Sequence, residues 1–301
     1  MTISAFPDDD GILAAAIRHA GGVVGRLSDA DALIWNGDDP QVLRTLVAAN
    51  PELRWIQLCS AGIEHYLPLI DTTRRWTRAF DAFGAQVAEH ALGMVLALQR
   101  RLDAYARRGT WHPPIPAGRS LFGSQLMIVG AGSIARNLIP LLAPFRAAVC
   151  VVRRQRVALP GAAETVPLSA MHEYLPRMDA VVLALPLTRQ TSQLIGRAEL
   201  RAMRSSAVLV NVARGELVDT TALAQALSEA WIDGAGLDVT DPEPLPLNHE
   251  LWQLPNCLIT PHVANPPDAE RESLKRFIEQ NVRRYLAGET PLGTIDLDAG
   301  Y

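Results

Sequence analysis

The sequence predicts an α/β protein of two lobes, and three observations carry that reading. Short apolar runs alternate with segments of helical spacing, the signature of βα units and parallel sheet. One run, Gln125–Val129, opens directly onto a glycine-spaced turn and a helix. The chain of 301 residues is longer than one hydrophobic core commonly holds. With 49% hydrophobic and 20% charged residues, disorder is excluded as the dominant state. A net charge of −4 gives no electrostatic case for nucleic acid or an anionic membrane surface, so the expected partner is a small molecule.

In chain order, Ala32–Trp35 reads as a strand, 42–49 as a helix and 53–58 as a second strand that runs into Cys59-Ser60-Ala61-Gly62. Small residues after a strand leave backbone N–H groups exposed, which suits an anion. From Gln86 to about Arg108 the spacing of Val87, Ala91, Met94, Val95, Leu98 and Leu102 predicts one long helix. The segment 110–120, TWHPPIPAGRS, cannot continue it because its three prolines remove donors, and it is expected to link the lobes. Further strands are expected at 148–152, 180–185, 207–212, 234–237 and 257–260. Helices are expected at 136–144, 197–203, 221–230 and 268–286. Residues 1–95 with 266–301 would form the smaller lobe, and 96–265 a doubly wound Rossmann-type lobe.

Three cysteines, Cys59, Cys150 and Cys257, lie far apart in apolar surroundings and form no C-x-x-C pair, so buried free thiols are expected and no metal site. The opening residues MTISAFPDDDG show no leader pattern, and no apolar run reaches membrane-spanning length; the expected address is the cytoplasm.

Gly130-x-Gly132-x-x-Ala135, set between an apolar strand and a helix that opens with Ser133 and Ile134, has the pattern of a dinucleotide-binding turn. The first glycine permits the tight turn, and the second lets backbone approach a pyrophosphate. At the end of the next strand, where an acid would accept from a ribose 2′-hydroxyl, stand Arg153 and Arg154. Arginine there pairs with a 2′-phosphate, so NADP(H) is favoured, with NAD(H) the alternative. Arg214, Glu243 and His262 each follow an apolar strand, at the edge where open α/β sheets bind ligands.

Together with Val87-Ala88-Glu89-His90, Leu185-Pro186-Leu187-Thr188, VNVARGELVD at 210–219, GLDV at 236–239, EPLP at 243–246 and TPHVA at 260–264, these residues resemble the D-isomer-specific 2-hydroxyacid dehydrogenases. The resemblance implies a Rossmann-type domain beside a smaller flavodoxin-like one, and hydride transfer between NAD(P)H and a small 2-keto acid such as glyoxylate or hydroxypyruvate. It implies that Arg214 binds the substrate, that His262 is the general acid/base and that Glu243 pairs with it. It further implies that Ser60, Ala61 and Gly62 receive the substrate carboxylate, that Thr188, Val212, Ala213, Asp238 and Ala264 line the nicotinamide, and that the protein is a homodimer. Chemistry agrees with the triad, because a ketone gaining hydride builds negative charge on oxygen, which needs a proton donor and a fixed cation. Thr240, Ala135 and Asn265-Pro266-Pro267 depart from the family's pattern and leave the substrate's side chain open. Alternative readings are a dinucleotide-sensing binding protein on the same fold, or a dehydrogenase of another small anion.

Overall fold

The computed structural model describes residues 1–107, 111 and 117–297. Its strands are β1 (Thr2–Phe6), β2 (Val23–Val24), β3 (Ala32–Trp35), β4 (Trp55–Leu58), β5 (Arg75–Thr77), β6 (Gln125–Val129), β7 (Ala148–Arg153), β8 (Glu164–Pro167), β9 (Ala180–Leu183), β10 (Val208–Asn211), β11 (Gly234–Leu237) and β12 (Cys257–Ile259). The helices are α1 (Ile12–His19), α2 (Pro40–Ala49), α3 (Gly84–Gln99), α4 (Leu102–Ala106), α5 (Ser133–Leu142), α6 (Met171–Tyr174), α7 (Arg197–Ala202), α8 (Thr220–Ser228) and α9 (Pro267–Leu286). The chain divides into two compact units, Met1–Phe83 with Pro266–Tyr301, and Gly84–Asn265.

In the first unit the parallel order β2-β1-β3-β4-β5 is that of a flavodoxin-like sheet. Alternate residues of β3 enter different cores, Ala32 and Ile34 meeting α1 and α9, and Leu33 and Trp35 meeting α2. The returning helix α9 is therefore part of this core, through Leu274, Phe277, Ile278 and Val282. A buried polar chain ties it down: the Asn281 amide donates to Gln57 Oε1 at 2.7 Å, and Gln57 Oε1 also accepts from Thr77 at 2.8 Å.

The second unit holds seven parallel strands ordered β12-β11-β10-β9-β6-β7-β8. Leu126 and Ile128 of β6 face the core under α3 and α5; Met127 and Val129 face the one under α6–α8. Strands covered on both faces read as continuous apolar runs, which is why β6, β9 and β10 were legible. Helix α5 buries Ala135, Leu138, Ile139 and Leu142, a spacing that holds one face against the sheet. After β8 the chain crosses back to β9, so the order reverses between β6 and β9, and open α/β sheets bind ligands at such a switch point.

Three expectations need correction. The helix expected over 86–108 ends at Gln99; Arg101 is left-handed at φ 57°, and α4 follows as a separate turn. The chain returning through Gly118 and Arg119 stops it. The Arg119 N–H donates to the Gln99 carbonyl at 2.6 Å, and a side chain on Gly118 would strike the Arg100 backbone at 2.7 Å. The unit boundary expected near 95 lies instead at 83/84, because the apolar face of α3, including Ala88, Ala91, Val95 and Leu98, belongs to the second unit's core. The proline-rich segment 110–120 lies largely outside the described residues; its flanks, up to Arg107 and from Ala117, belong to one unit, so it is not the link between the two. Residues 1–6, left unassigned by the sequence pattern, form β1.

Close packing joins the turns after β10 and β11. A Cβ on Gly215 would fall 2.0 Å from the Thr240 carbonyl carbon and oxygen, whereas one on the exposed α3 residue Gly93 would meet nothing within 4 Å. Gly215→Ala is therefore expected to destabilise the protein by about 1–3 kcal/mol through overpacking. Gly93→Ala is expected to stabilise it by about 0.5–1 kcal/mol through helix propensity. Chemical denaturation of the two variants checks both signs.

Candidate active site

The phosphate turn sits at the switch point. Gly130 has φ 118°, and a Cβ there would fall 2.1 Å from the Ala184 carbonyl oxygen, so the carboxyl ends of β6 and β9 approach this closely only through glycine. Its N–H donates to the Val152 carbonyl at 2.8 Å, next to Arg153. Gly132 caps α5 with no side-chain bond to the first turn, and a Cβ on it would meet no atom within 4 Å. None of the described residues crowds position 132, and α5 opens directly after it with Ser133 and Ile134. An anion approaching the helix N-terminus would use that space, so these residues fit a dinucleotide pyrophosphate. The side chain of Ala135 is fully buried, consistent with a third position that needs only a small residue. Arg153 is half-buried and donates to the Val157 carbonyl at 3.1 Å; Arg154 is exposed. Thr188 is held by its neighbour, the Thr191 hydroxyl accepting its N–H at 2.8 Å and donating to the Pro186 carbonyl at 2.8 Å.

Asn211, at the end of β10 and fully buried, shapes the loop that carries Arg214. Its amide donates to the Arg214 carbonyl at 2.7 Å, and its Oδ1 accepts from the Ala213 N–H at 3.1 Å. Val212 and Ala213 are buried beneath, and the Arg214 guanidinium donates to the Ala213 carbonyl at 2.6 Å.

His262 stands beyond β12 with φ 53°, an unusual conformation for a residue with a side chain. Its Nδ1 lies 2.7 Å from Glu243 Oε1, and the two side chains are 55% and 43% exposed, so this is not a histidine satisfied inside a core. A carboxylate only accepts, so Nδ1 carries the proton toward Glu243 and Nε2 is the nitrogen left to face a reactant. The Thr240 hydroxyl donates to the Pro242 carbonyl at 2.9 Å, closing the turn that presents Glu243. Thr240 thus braces the acid at one of the positions where the sequence departs from the pattern it resembles.

Asp238 is buried at 2% exposure, and its oxygens organise the histidine loop. The Val263 N–H donates to Oδ1 and the Ala264 N–H to Oδ2, each at 3.0 Å, while the His262 N–H donates to the Asp238 carbonyl at 2.8 Å. Thr260 lies 2.5 Å from Oδ1 through its hydroxyl, and His90 Nε2 is 3.0 Å from that hydroxyl. Asn211, Thr260 and His90 were not assigned to the site from sequence. A polar residue interrupting an apolar strand end, as Asn211 and Thr260 do, is the signal that marks such positions.

The structure thus brings the phosphate turn, Arg153, Arg154, Thr188, Val212, Ala213, Arg214, Asp238, Glu243, His262 and Ala264 to the carboxyl edge of one sheet. Ser60, Ala61 and Gly62 belong to the first unit and follow β4. There the Ser60 carbonyl accepts from the Ala79 N–H at 2.9 Å and the Ala61 carbonyl from Arg78 at 2.8 Å. The three cysteines are buried and unbridged; burial raises the Cys59 thiol pKa, and raises that of Cys150 to about 11 and that of Cys257 to about 12. Among the described residues no helix is long and apolar enough to cross a membrane.

Comparison with known proteins agrees with this geometry. Residues 92–264 match the family described as D-isomer specific 2-hydroxyacid dehydrogenase, NAD binding domain. The chain is 32% identical over 279 residues to a glyoxylate reductase of Pyrococcus furiosus, covering 88% of this chain and 82% of that one. It is 34% identical over 256 residues to the glyoxylate reductase of Thermococcus gammatolerans, covering 80% and 75%. A solved structure of a D-isomer specific 2-hydroxyacid dehydrogenase from Xanthobacter autotrophicus, in complex with NADPH and MES, is 27% identical and superposes with a TM-score of 0.86 over 100% of this chain and 99% of that one. With the Rossmann-type sheet, the glycine turn and the Glu243–His262 pair in one unit, the chain belongs to the D-isomer specific 2-hydroxyacid dehydrogenases, NAD(P)-dependent oxidoreductases that transfer hydride between a nicotinamide and a small 2-keto or 2-hydroxy acid.

Proposed function

We propose that this chain reduces a small 2-keto acid of the glyoxylate or hydroxypyruvate type to the D-2-hydroxy acid, with NADPH preferred over NADH. The observation that carries the reading is the 2.7 Å contact between His262 and Glu243 on two turns at the cofactor edge of the second sheet. The reduced nicotinamide, when bound, supplies the hydride. His262 holds a proton at Nε2 and passes it to the carbonyl oxygen as negative charge develops there. Glu243 fixes the ring through Nδ1, so that Nε2 is the nitrogen turned to the reactant. The Arg214 guanidinium offers a planar fork to the substrate carboxylate and stabilises the same oxygen. In the reverse direction His262 takes the proton back.

On the first unit, Ser60, Ala61 and Gly62 supply backbone N–H groups to the substrate carboxylate. The position of this turn at the carboxyl end of β4, its carbonyls at Ser60 and Ala61 already engaged elsewhere, supports that role. Residues 1–83 with 266–301 then serve as the substrate domain, and Thr188, Val212, Ala213, Asp238 and Ala264 line the nicotinamide. Arg153 and Arg154 receive the 2′-phosphate, and no acid stands beside them at the end of β7 to favour a bare ribose. The exposed Leu102, Tyr105 and Trp111 support a homodimer built around α4, and the three buried free thiols support a reducing, cytoplasmic setting.

The experiment that tests the function follows loss of reduced-nicotinamide absorbance with glyoxylate, hydroxypyruvate, pyruvate and phenylpyruvate. Turnover is expected to be fastest with glyoxylate and hydroxypyruvate and with NADPH, and silence across the panel from protein that binds NADPH would refute the reading. His262→Ala is expected to lower kcat by about 10²–10⁴-fold, the share general acid/base catalysis supplies. Arg153→Asp is expected to shift the NADPH-to-NADH preference by about ten- to a hundredfold, one charge-assisted contact at about 1.5–3 kcal/mol. Steady-state kinetics with both cofactors reads the ratio.

A further inference from the structure

His90 lies on α3, away from the turns that carry the proposed triad, yet it is joined to them through two side chains. Its Nε2 is 3.0 Å from the Thr260 hydroxyl and 3.5 Å from Asp238 Oδ1, and the Thr260 hydroxyl is 2.5 Å from Asp238 Oδ1. The direction of each bond follows from counting protons. Both Asp238 oxygens already accept backbone N–H groups, so the carboxylate accepts from Thr260 as well. A threonine hydroxyl has one proton, so Thr260 spends it on Asp238 and must accept from His90. The His90 Nε2 therefore carries hydrogen, and the chain runs one way: His90 Nε2–H to Thr260, Thr260 O–H to Asp238.

At its far end Asp238 receives the N–H groups of three consecutive residues, His262 on its carbonyl and Val263 and Ala264 on its carboxylate. These bonds hold His262 in its left-handed conformation. If Thr260 rotated and turned its lone pairs toward Oδ1, the carboxylate would lose a donor in a buried place and two acceptors would face each other. His90 excludes that rotamer by occupying the lone pair.

We propose that His90 is a positioning residue for His262, acting through the Thr260 hydroxyl and the Asp238 carboxylate. It touches neither substrate nor cofactor; it fixes the direction of the bonds that set the histidine loop. The inference rests on the proposed role of His262 as proton donor. A displacement of a reacting group by about 1 Å costs up to about a hundredfold in rate, so loss of the chain is expected to act on kcat and to leave the KM for the keto acid nearly unchanged.

Four single variants and one double variant test it. His90→Leu and Thr260→Val remove the donor and the hydroxyl, and each is expected to lower kcat by about ten- to a hundredfold. His90→Gln keeps an N–H at similar reach and Thr260→Ser keeps the hydroxyl, and both are expected to recover most of the rate and to report on protein that folds. The double variant H90L/T260V is expected to be no slower than the worse single variant, because both cut one chain. Independently of turnover, ¹⁵N-histidine-labelled protein is expected to show a slowly exchanging Nε2–H resonance from His90 that disappears in Thr260→Val. Wild-type kcat in H90L or T260V, losses that multiply in the double variant, or a resonance unaffected by T260V would overturn the inference. Full activity in His262→Gln would instead overturn the proposed chemistry, and the resonance would still decide whether His90 is bonded through Thr260.

Discussion

A single buried carboxylate organises the reactive edge of the second unit. Asp238 leaves the end of β11 with almost no exposure and accepts three consecutive amides of the loop beyond β12, along with the Thr260 hydroxyl. Burying a charge is costly unless hydrogen bonds replace its hydration, so the loop cannot relax away from Asp238 without exposing that cost. The left-handed backbone of His262 persists because its neighbours are held on both sides. The position of the general acid proposed for the reaction thus depends on a residue whose own charge is spent on backbone.

Around this anchor, close approach of backbone to backbone sets the remaining distances. Gly130 lets the end of β6 lie against Ala184, and Gly215 lets the arginine turn lie against Thr240 and Asp241. A third contact of this kind brings α3 to the phosphate turn, where a Cβ on Gly84 would fall 2.5 Å from that of Ser133. Gly132 differs, since open space rather than protein lies before it. Packing requires glycine at those three positions and places no such demand on Gly132.

The first unit solves a different problem, keeping a helix from the far end of the chain in its core. Pro266 and Pro267 stand at the start of α9, where a missing N–H costs nothing because the first turn has no intrahelical acceptor. Asn281 then reaches Gln57 and the Leu292 backbone inside the core, so the returning helix is fixed by direction-specific bonds as well as by apolar contact. These prolines depart from the family pattern, and their place at the unit boundary gives them a structural reason.

By itself the sequence determined the α/β class, the apolar strands β3, β4, β6, β7, β9, β10, β11 and β12, the glycine turn and the membership of the family. Each of these rests on local pattern: two-sided burial makes a strand apolar throughout, and a tight turn needs glycine within a few residues. The short strands β1, β2, β5 and β8 lacked such a pattern. Only tertiary structure decided where α3 ends and which unit owns it, since the Gly118–Arg119 return that caps it is a contact between separate stretches of chain. The same holds for the link from His90 through Thr260 to Asp238, residues separated by 170 and 22 positions. Motif and spacing report what neighbours along the chain require, whereas the direction of a buried hydrogen bond exists only once distant residues meet.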